Sequence, residues 1–452
     1  MKLILKALPY LQIIVLGLCI GLIGFETERE NFLQFILLYL LAFQAFYYIW
    51  LNKQEWKFKH FVILAVAIRL VLIAAMPELS NDFFRFIWDG ELMASGINPY
   101  AHTPNELISQ GPIYSNPHMR MLFHGMGELS QANYTCYPVF NQMFFYIPAK
   151  MTDSIPAFVI TLKLVMILAD IGAIYIGKKI LEHLNKPTHL IWIYALNPLV
   201  ILEFTGNLHF EGVMIFFTLL AIYYVLIKKW LMGAVFLGIA VQIKLIPLML
   251  LPFFMKHLKW RNSLGFVAMT GVVVLTVGAM MINAQFYNNF MQSIDLYFHS
   301  FQFNGSIAFL LKEITMATKG WDGIHFYGPF LKYLSLLGIV AVAAFKNYKG
   351  EQYLFTAMMF GITIYYALGT TVHPWYVTFI LVLSIFTRYK FALVWSFMVM
   401  LSYAAYDNPE FRENGLLIIA EYVVVYGVML YEIFKNTDKT NFALNLKTFF
   451  SN

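Results

Sequence analysis

Three charged residues with helical spacing follow an apolar stretch of the chain, within residues 80–90 (SNDFFRFIWDG). If this segment is a helix, Asp82, Arg85 and Asp89 share one face, because side chains three and four positions apart stack. Arg85 would then keep both carboxylates ionised. An ionised carboxylate can accept the proton of a substrate hydroxyl, so the segment predicts a general base. The alternative is a helix start held by salt bridges.

A second polar group occupies a short connection between two apolar windows. It comprises Glu203, Asn207, His209 and Glu211. Glu203 ends an apolar helix, where a carboxylate without a partner costs stability. Four hydrogen-bonding side chains so close together predict contact with a polar ligand. The alternative is an ordinary solvated turn.

The third group is His373, Trp375 and Tyr376, with Pro374 among them at an expected helix start. Their side chains could bind a sugar or a phosphate. They could equally form part of the aromatic belt that membrane proteins place at the lipid surface.

Four further charges lie inside apolar windows: Arg69, Lys163, Asp170 and Lys244. Each costs about 2.5–3.5 kcal/mol at the centre of a membrane helix, so each needs a partner or a use. Lys163 and Asp170 lie on one helix face and could pair through a neighbour. Lys244 could meet Asp170 or a lipid phosphate.

The elements that position these groups are membrane helices. The 452-residue chain is 60% hydrophobic and 12% charged, which is typical of an integral membrane protein. We expect an all-α, polytopic bundle in one domain over 1–452, with short interfacial helices in the long loop 77–156. About twelve spans are predicted, at 4–24, 32–51, 61–76, 157–177, 189–204, 211–227, 262–283, 326–345, 351–368, 374–386, 391–406 and 416–434. The window 230–256 contains two prolines and Lys244, and is expected to be re-entrant or broken.

Lysine and arginine predict the orientation, because cytoplasmic loops of membrane proteins are enriched in them. The loops that carry these charges fall on one side of the predicted bundle; their basic residues are Lys53, Lys57, Lys59, Lys178, Lys179, Lys186, Lys228, Lys229, Lys256, Lys259, Arg261, Lys346, Lys349, Arg388 and Lys390. Loops 77–156 and 284–325 are then external, and both termini, including the tail 435–452, are cytoplasmic. The first apolar run is expected to be a retained helix, and the protein to reside in the cytoplasmic membrane.

Composition also indicates what the chain does not bind. The net charge of +6 is dispersed among membrane segments, which argues against nucleic acid as a partner. Cys19 and Cys136 are not expected to pair, and no Cys/His spacing typical of a metal site occurs. We therefore expect neither metal nor cofactor.

Taken in order, these motifs resemble the bacterial polyprenyl-phosphate-sugar-dependent glycosyltransferases of the integral-membrane GT-C superfamily, in the mannosyltransferase-like branch. The parts that carry the resemblance are residues 80–90, 96–100, 137–138, 197–209, 244–247, 303–306 and 373–376. Together they cover nearly the whole chain. The family usually shows two adjacent acidic residues where this chain has Asn81 and Asp82.

The resemblance implies an inverting hexosyltransferase, with mannose as the sugar. Its partners would be a polyprenyl-phosphate sugar donor, a glycan or glycolipid acceptor, and the bilayer. Asp82 would be the catalytic base on the external face. Cationic groups would neutralise the leaving phosphate, with Arg85, Lys244 and His373 as candidates. The remaining expected substrate-binding residues are Asp89, Glu203, Asn207, His209, Trp375 and Tyr376.

Two other functions fit parts of the sequence. A transporter or flippase of lipid-linked glycans would line its path with the intramembrane charges. Such transporters commonly have broken helices in both halves, whereas this chain shows one clear break and a large external loop, which favours the enzyme. A catalytically inactive scaffold is suggested only by Asn81.

Overall fold

The computed structural model of the chain describes residues 2–52, 56–109, 111–279, 281, 284–299, 301–344, 350–408 and 410–437. Within these ranges the secondary structure is helical, apart from one isolated parallel bridge between Phe303 and Thr371. The all-α prediction is therefore confirmed. Three lysines used to predict orientation (Lys53, Lys346 and Lys349) and residues 438–452 of the expected tail lie outside the described residues.

The first three helices are α1 (Lys2–Glu26), α2 (Phe32–Leu51) and α3 (Phe58–Val71). The Asn31 side chain accepts a hydrogen bond from the backbone N–H of Gln34, which caps α2 and ends the short turn after α1. Because that turn is so short, α1 and α2 pack side by side.

Short helices fill the long loop predicted at 77–156. They are α4 (Asp82–Ala94), α5 (Pro104–Ile108), α6 (Gly111–Ser115), α7 (Pro117–Gly125), α8 (Gly127–Ala132) and α9 (Val139–Met151). Helix α4 lies directly against α9, since a Cβ on Gly90 would come within 2.4 Å of the Phe145 carbonyl oxygen. That close approach sets the position of the whole of α4, including Asp82 at its start.

The central part carries the broken helices. It comprises α10 (Ile155–His183), a 3₁₀ turn (Thr188–Ile191), α11 (Trp192–Ala195), α12 (Pro198–Val200), a π-helical turn (Ile201–Gly206), α13 (Glu211–Leu226), α14 (Trp230–Ile243), a 3₁₀ turn (Ile246–Leu250) and α15 (Leu251–His257). The predicted break in 230–256 is confirmed. It falls at Lys244, whose backbone is extended (φ −147°, ψ 145°) between α14 and the next turn.

The remaining helices are α16 (Trp260–Gly278), α17 (Ala284–His299), α18 (Ser306–Lys319), α19 (Ile324–Ala344), α20 (Gln352–Leu368), α21 (Pro374–Ser384), α22 (Phe391–Met398), a 3₁₀ segment (Val399–Tyr406) and α23 (Gly415–Thr437). Helix α21 is buried along nearly its whole length, so it lies inside the bundle rather than against lipid.

Among the described residues, six helices are long and apolar enough to cross a membrane, within α1, α2, α10, α16, α19 and α23. A seventh span is formed if Thr188–Ala195 and Pro198–Gly206, which meet at 53°, are taken together. The other predicted windows contain shorter apolar helices. The chain is thus a multi-pass membrane protein. The count of twelve is not confirmed.

The charges inside the bundle find partners other than those expected. Asp170 pairs with Arg69 (Nε to Oδ2, 2.7 Å) and accepts a hydrogen bond from Tyr194, and all three side chains are buried. Lys163 donates to the carbonyl oxygens of Leu72 and Ala75, just after α3, at 2.7 and 2.5 Å. The suggested contacts of Asp170 with Lys163 or Lys244 are therefore wrong.

Candidate active site

Three breaks in the helical structure meet at one place. Asp82 is the first residue of α4, His209 lies in the connection before α13, and Lys244 lies at the end of α14. The His209 Nδ1 atom is 4.0 Å from Asp82 Oδ2. We call the space around Asp82, His209 and Lys244 the central pocket. Polar side chains collect there because helix ends leave backbone groups and side chains that need partners.

Glu203 forms the floor of the central pocket. The π-helical turn widens the helix at this point, and Leu208 turns the chain back with a positive φ of 65°. Glu203 accepts hydrogen bonds from Tyr403 (2.8 Å) and Asn207 (3.1 Å), and its carboxylate lies 3.4 Å from His209 Nε2. Glu203 and His209 are fully buried, so Glu203 holds its neighbours rather than meeting solvent.

Lys244 is held by the start of α13. Its Nζ lies 2.5 Å from Oε1 of the fully buried Glu211, while the Lys244 side chain remains 17% exposed. The ammonium also lies 5.8 Å from the ring centres of Tyr137 and Tyr376. A carboxylate and two aromatic faces therefore keep the cation at the break.

Three stacked rings form one wall of the central pocket. His209 stacks on Trp375 with centroids 3.5 Å apart, and Trp375 stacks on His373 at 4.3 Å. Both ring nitrogens of His209 and Nδ1 of His373 are buried without a hydrogen-bond partner within the described part of the chain. Buried donors and acceptors left unpaired are costly, and they point to a ligand that completes them.

Asp82 differs from the other carboxylates of the central pocket in its exposure. Its side chain is 35% exposed, whereas Glu203 and Glu211 are fully buried. Helix α4 lies outside the candidate membrane spans. Desolvation raises the pKa of Asp82, and Lys244 opposes this shift with its positive charge. Asp82 is thus an accessible carboxylate in an environment that strengthens it as a base.

Residues 21–260 match the family model described as alpha-(1->6)-mannopyranosyltransferase, N-terminal domain (MptA_B family). The match covers just over half of the chain. The chain belongs to this family. Its similarity to alpha-(1->6)-mannopyranosyltransferase A of Corynebacterium glutamicum is 24% identity over 44% of this chain and 38% of that protein. The protein of the same name in Mycobacterium tuberculosis is 24% identical over 42% of this chain and 36% of that protein. The chain thus aligns with less than two fifths of each relative. No solved structure matches it.

Within this mannopyranosyltransferase-family chain, the matched stretch contains most of the central pocket, namely Asp82, Glu203, His209, Glu211 and Lys244. The ring wall at 373–376 lies beyond it. The resemblance to the mannosyltransferase-like branch is therefore confirmed. The tertiary structure brings the ring wall at 373–376 next to the residues of the matched stretch.

Asn81, which departs from the usual acidic pair, has a structural contact. Its side-chain amide donates to the Gly125 carbonyl oxygen at 3.3 Å. An aspartate at this position would place a carboxylate oxygen against the Gly125 carbonyl oxygen, and neither can donate a hydrogen bond. The Asn81 amide thus links the start of α4 to the end of α7. Of the two positions, only Asp82 carries an acid.

Arg85 and Asp89 pair with each other. Arg85 Nε lies 2.8 Å from Asp89 Oδ1, and its NH1 donates to the carbonyl oxygens of Ser130 and Asn133. Among the described residues no ion pair joins Arg85 to Asp82, so the prediction that Arg85 holds both carboxylates is wrong. The pair instead fixes α4 against the C-terminal end of α8.

The site also contains residues that were not assigned from the sequence. Glu211 belonged to the predicted polar group, but its pairing with Lys244 required the fold. Tyr137 belongs to a turn that carries the family resemblance but was given no role in the site. Tyr403 lies in an apolar window, where no sequence pattern marks it. Within the described ranges, no three His, Cys, Asp or Glu side chains are placed to hold a metal ion.

Proposed function

We propose that this chain transfers mannose from a polyprenyl-phosphate-linked donor to a glycan or glycolipid acceptor on the external face of the membrane. The observation that carries the proposal is the placement of Asp82. It is the partly exposed carboxylate of the central pocket, it lies beside a lysine, and no side chain donates a hydrogen bond to it among the described residues. The family and the names of both relatives support mannose as the sugar.

In the proposed reaction, Asp82 accepts the proton of an acceptor hydroxyl. The hydroxyl oxygen attacks the anomeric carbon of the donor. The bond from that carbon to the phosphate oxygen breaks, and its electron pair leaves with polyprenyl phosphate. Because attack and departure occur on opposite sides, this single displacement inverts the anomeric centre.

Lys244 is the proposed site for the donor phosphate. It lies at a break in an apolar segment, its ammonium is in contact with Glu211, and its side chain is partly exposed. Charge aimed in advance at the leaving group lowers the barrier to its departure. His373 is the second candidate to contact the phosphate. Its Nδ1 has no hydrogen-bond partner among the described residues, and the ring of Trp375 separates it from His209.

Trp375, His209 and Tyr376 are proposed to contact the sugar. Aromatic faces pack against the C–H groups of a pyranose ring, and Nδ1 of His209, on the side of Asp82, can bind one of its hydroxyls. Glu203 and Asn207 support His209 from below through the contacts described above. Arg85 and Asp89 are proposed to be structural, which revises the expectation from the sequence.

The external orientation is proposed from the distribution of lysine and arginine. In a Cys136→Ser background, Glu106→Cys on α5 should react with a membrane-impermeant maleimide in intact cells. Lys179→Cys near the end of α10 should react only after the membrane is opened. Equal reaction of both in intact cells would contradict the orientation.

The transfer itself can be tested with purified protein in detergent. Polyprenyl-phosphate mannose labelled in the sugar is supplied with a mannose-containing glycan acceptor, and the lipid and glycan products are separated. Labelled glycan together with free polyprenyl phosphate is expected, and Asp82→Asn serves as the matched inactive control. If no label is transferred and the reconstituted protein instead moves the intact donor across vesicles, the chain is a flippase.

A further inference from the structure

Another buried carboxylate lies in α23, outside the central pocket. Glu421 is fully buried. It accepts hydrogen bonds from Trp395 Nε1 (2.8 Å) and from Asn304 Nδ2 (3.1 and 3.3 Å). No salt bridge reaches it within the described part of the chain. Burying a carboxyl group without a cation lowers the stability of the fold. We therefore ask what Glu421 does for the two residues that donate to it, Trp395 and Asn304.

Asn304 is held through its backbone N–H, its carbonyl oxygen and its side-chain amide nitrogen. Its backbone is left-handed (φ 49°), which asparagine tolerates better than most residues. Its backbone N–H donates to Glu413, and its carbonyl oxygen accepts from Tyr422 at 2.5 Å. Its side chain also donates to the Val372 carbonyl oxygen at 3.4 Å. Glu421 thus fixes a residue that touches the segment before α21.

That segment is joined to its neighbour by a two-way backbone contact. Phe303 N–H donates to the Thr370 carbonyl oxygen at 3.1 Å, and Val372 N–H donates to the Phe303 carbonyl oxygen at 2.8 Å. These bonds form the isolated bridge between Phe303 and Thr371. The next residue in the segment is His373.

The ring wall of the central pocket continues from this bridge. Phe303 stacks on His373 with centroids 4.8 Å apart, and His373 continues through Trp375 to His209. A continuous path of contacts therefore leads from Glu421, through Asn304 and the bridge, to the rings that face Asp82.

We propose that Glu421 is a positioning residue for the transfer reaction, acting through Asn304 to hold the ring stack of His373, Trp375 and His209 in place. The proposal rests on the proposed function, because the stack is assigned there to the sugar and the phosphate. Glu421 itself touches neither. Its effect reaches the reaction because a misplacement of about 1 Å can cost on the order of a hundredfold in rate.

The kinetic test compares two glutamates of the same helix. Glu421→Ala should lower kcat/KM for the mannosyl donor by roughly ten- to a hundredfold. Glu421→Gln, which keeps an acceptor oxygen at the same reach, should recover most of that loss. The matched control is Glu432→Ala, later in the same helix, whose carboxylate accepts the backbone N–H groups of Lys390 and Phe391 at 2.9–3.0 Å, at the start of α22. Its donor kinetics should stay close to those of the unmodified protein.

A spectroscopic test separates this inference from the proposed function. The protein is labelled with 5-fluorotryptophan, and the ¹⁹F resonance of Trp375 is assigned by its loss in Trp375→Phe. Glu421→Ala should shift or broaden that resonance, and Glu432→Ala should not. Asn304→Gly keeps the left-handed backbone, removes the side chain, and should reproduce the effect if Glu421→Ala fails to fold.

The two hypotheses can fail separately. An unmodified protein that transfers no mannose overturns the proposed function, while the Trp375 resonance still reports whether Glu421 positions the stack. An unchanged Trp375 resonance in both Glu421→Ala and Asn304→Gly overturns the positioning role. An equal shift in Glu432→Ala overturns it as well, because the effect would then belong to α23 as a whole.

Discussion

The first turn of α4 and its second half carry the same residue type in opposite settings. Asp89 is fully buried, and both of its oxygens are engaged, one by Arg85 and one by Gln142 at 3.0 Å. Asp82, seven residues earlier, is 35% exposed and lies 4.0 Å from a histidine. Two aspartates of one helix therefore have different roles. Asp89 stabilises the packing of α4, and Asp82 is the candidate base.

The difference shows how partners separate structural from chemical carboxylates. A carboxylate whose oxygens are filled by fixed donors has no capacity left for a substrate. One that is close to cations without being bound by them keeps that capacity. The same contrast holds for the lysines, since Lys163 is enclosed by two carbonyl oxygens while Lys244 is partly exposed.

Asp82→Asn should have the largest effect of the changes that test this difference between Asp82 and Asp89. The change removes the proposed base and keeps the shape of the side chain, so transfer should fall by about 10²- to 10⁴-fold. Turnover is measured with labelled donor, and folding by size-exclusion chromatography. Turnover close to that of the unmodified protein would move the role of base away from α4 altogether.

Asp89→Ala should act on stability instead. It leaves Arg85 buried without its carboxylate, and breaking such a pair costs about 3–5 kcal/mol. Thermal unfolding in detergent measures the change. Asp82→Ala is the matched control, because loss of a partly exposed side chain usually costs within about 0.5 kcal/mol. Equal destabilisation by both variants would remove the distinction between the two ends of α4.

Lys244→Ala should weaken donor binding. A lost charge-assisted contact costs about 1.5–3 kcal/mol, so the KM for the donor should rise roughly tenfold or more. The variant also leaves Glu211 buried without a partner and should unfold at a lower temperature. Adding Glu211→Gln should restore the unfolding temperature and leave the KM high. If the double variant also restored the KM, Lys244 would be a structural partner of Glu211 only.

The pH profile should show the smallest effect. Asp82 is active as a base when deprotonated, so activity should fall as the pH drops through its pKa. Because desolvation raises that pKa, the fall should begin above the pH expected for an ordinary aspartate. Arg29 also lowers the pKa of Asp82, so Arg29→Gln should move the acidic limb of kcat/KM upward by a fraction of a unit. A shift to lower pH would contradict this electrostatic account.

Several features of the site were accessible from the sequence because they are local. The break at Lys244 follows from the prolines after it, and the polar group from Glu203 to Glu211 lies within nine residues. Helix α4 was predicted as one of the short helices of loop 77–156. The pairing of its charges was predicted incorrectly. By spacing alone Arg85 could reach either carboxylate, and its bonds to the carbonyl oxygens at the end of α8 decided which.

By itself, the sequence determined the all-helical membrane class, the broken segment, and the acid, cation and aromatic groups that build the pocket, since each follows from composition or from neighbours along the chain. Only the tertiary structure decided that Lys244 pairs with Glu211, that Asp170 pairs with Arg69, and that Trp375 stacks on His209. These partners are separated by 33, 101 and 166 positions in the chain. The reason is physical: a buried charge takes whichever partner the packing of helices brings within reach, and helical periodicity says nothing about which helices will meet.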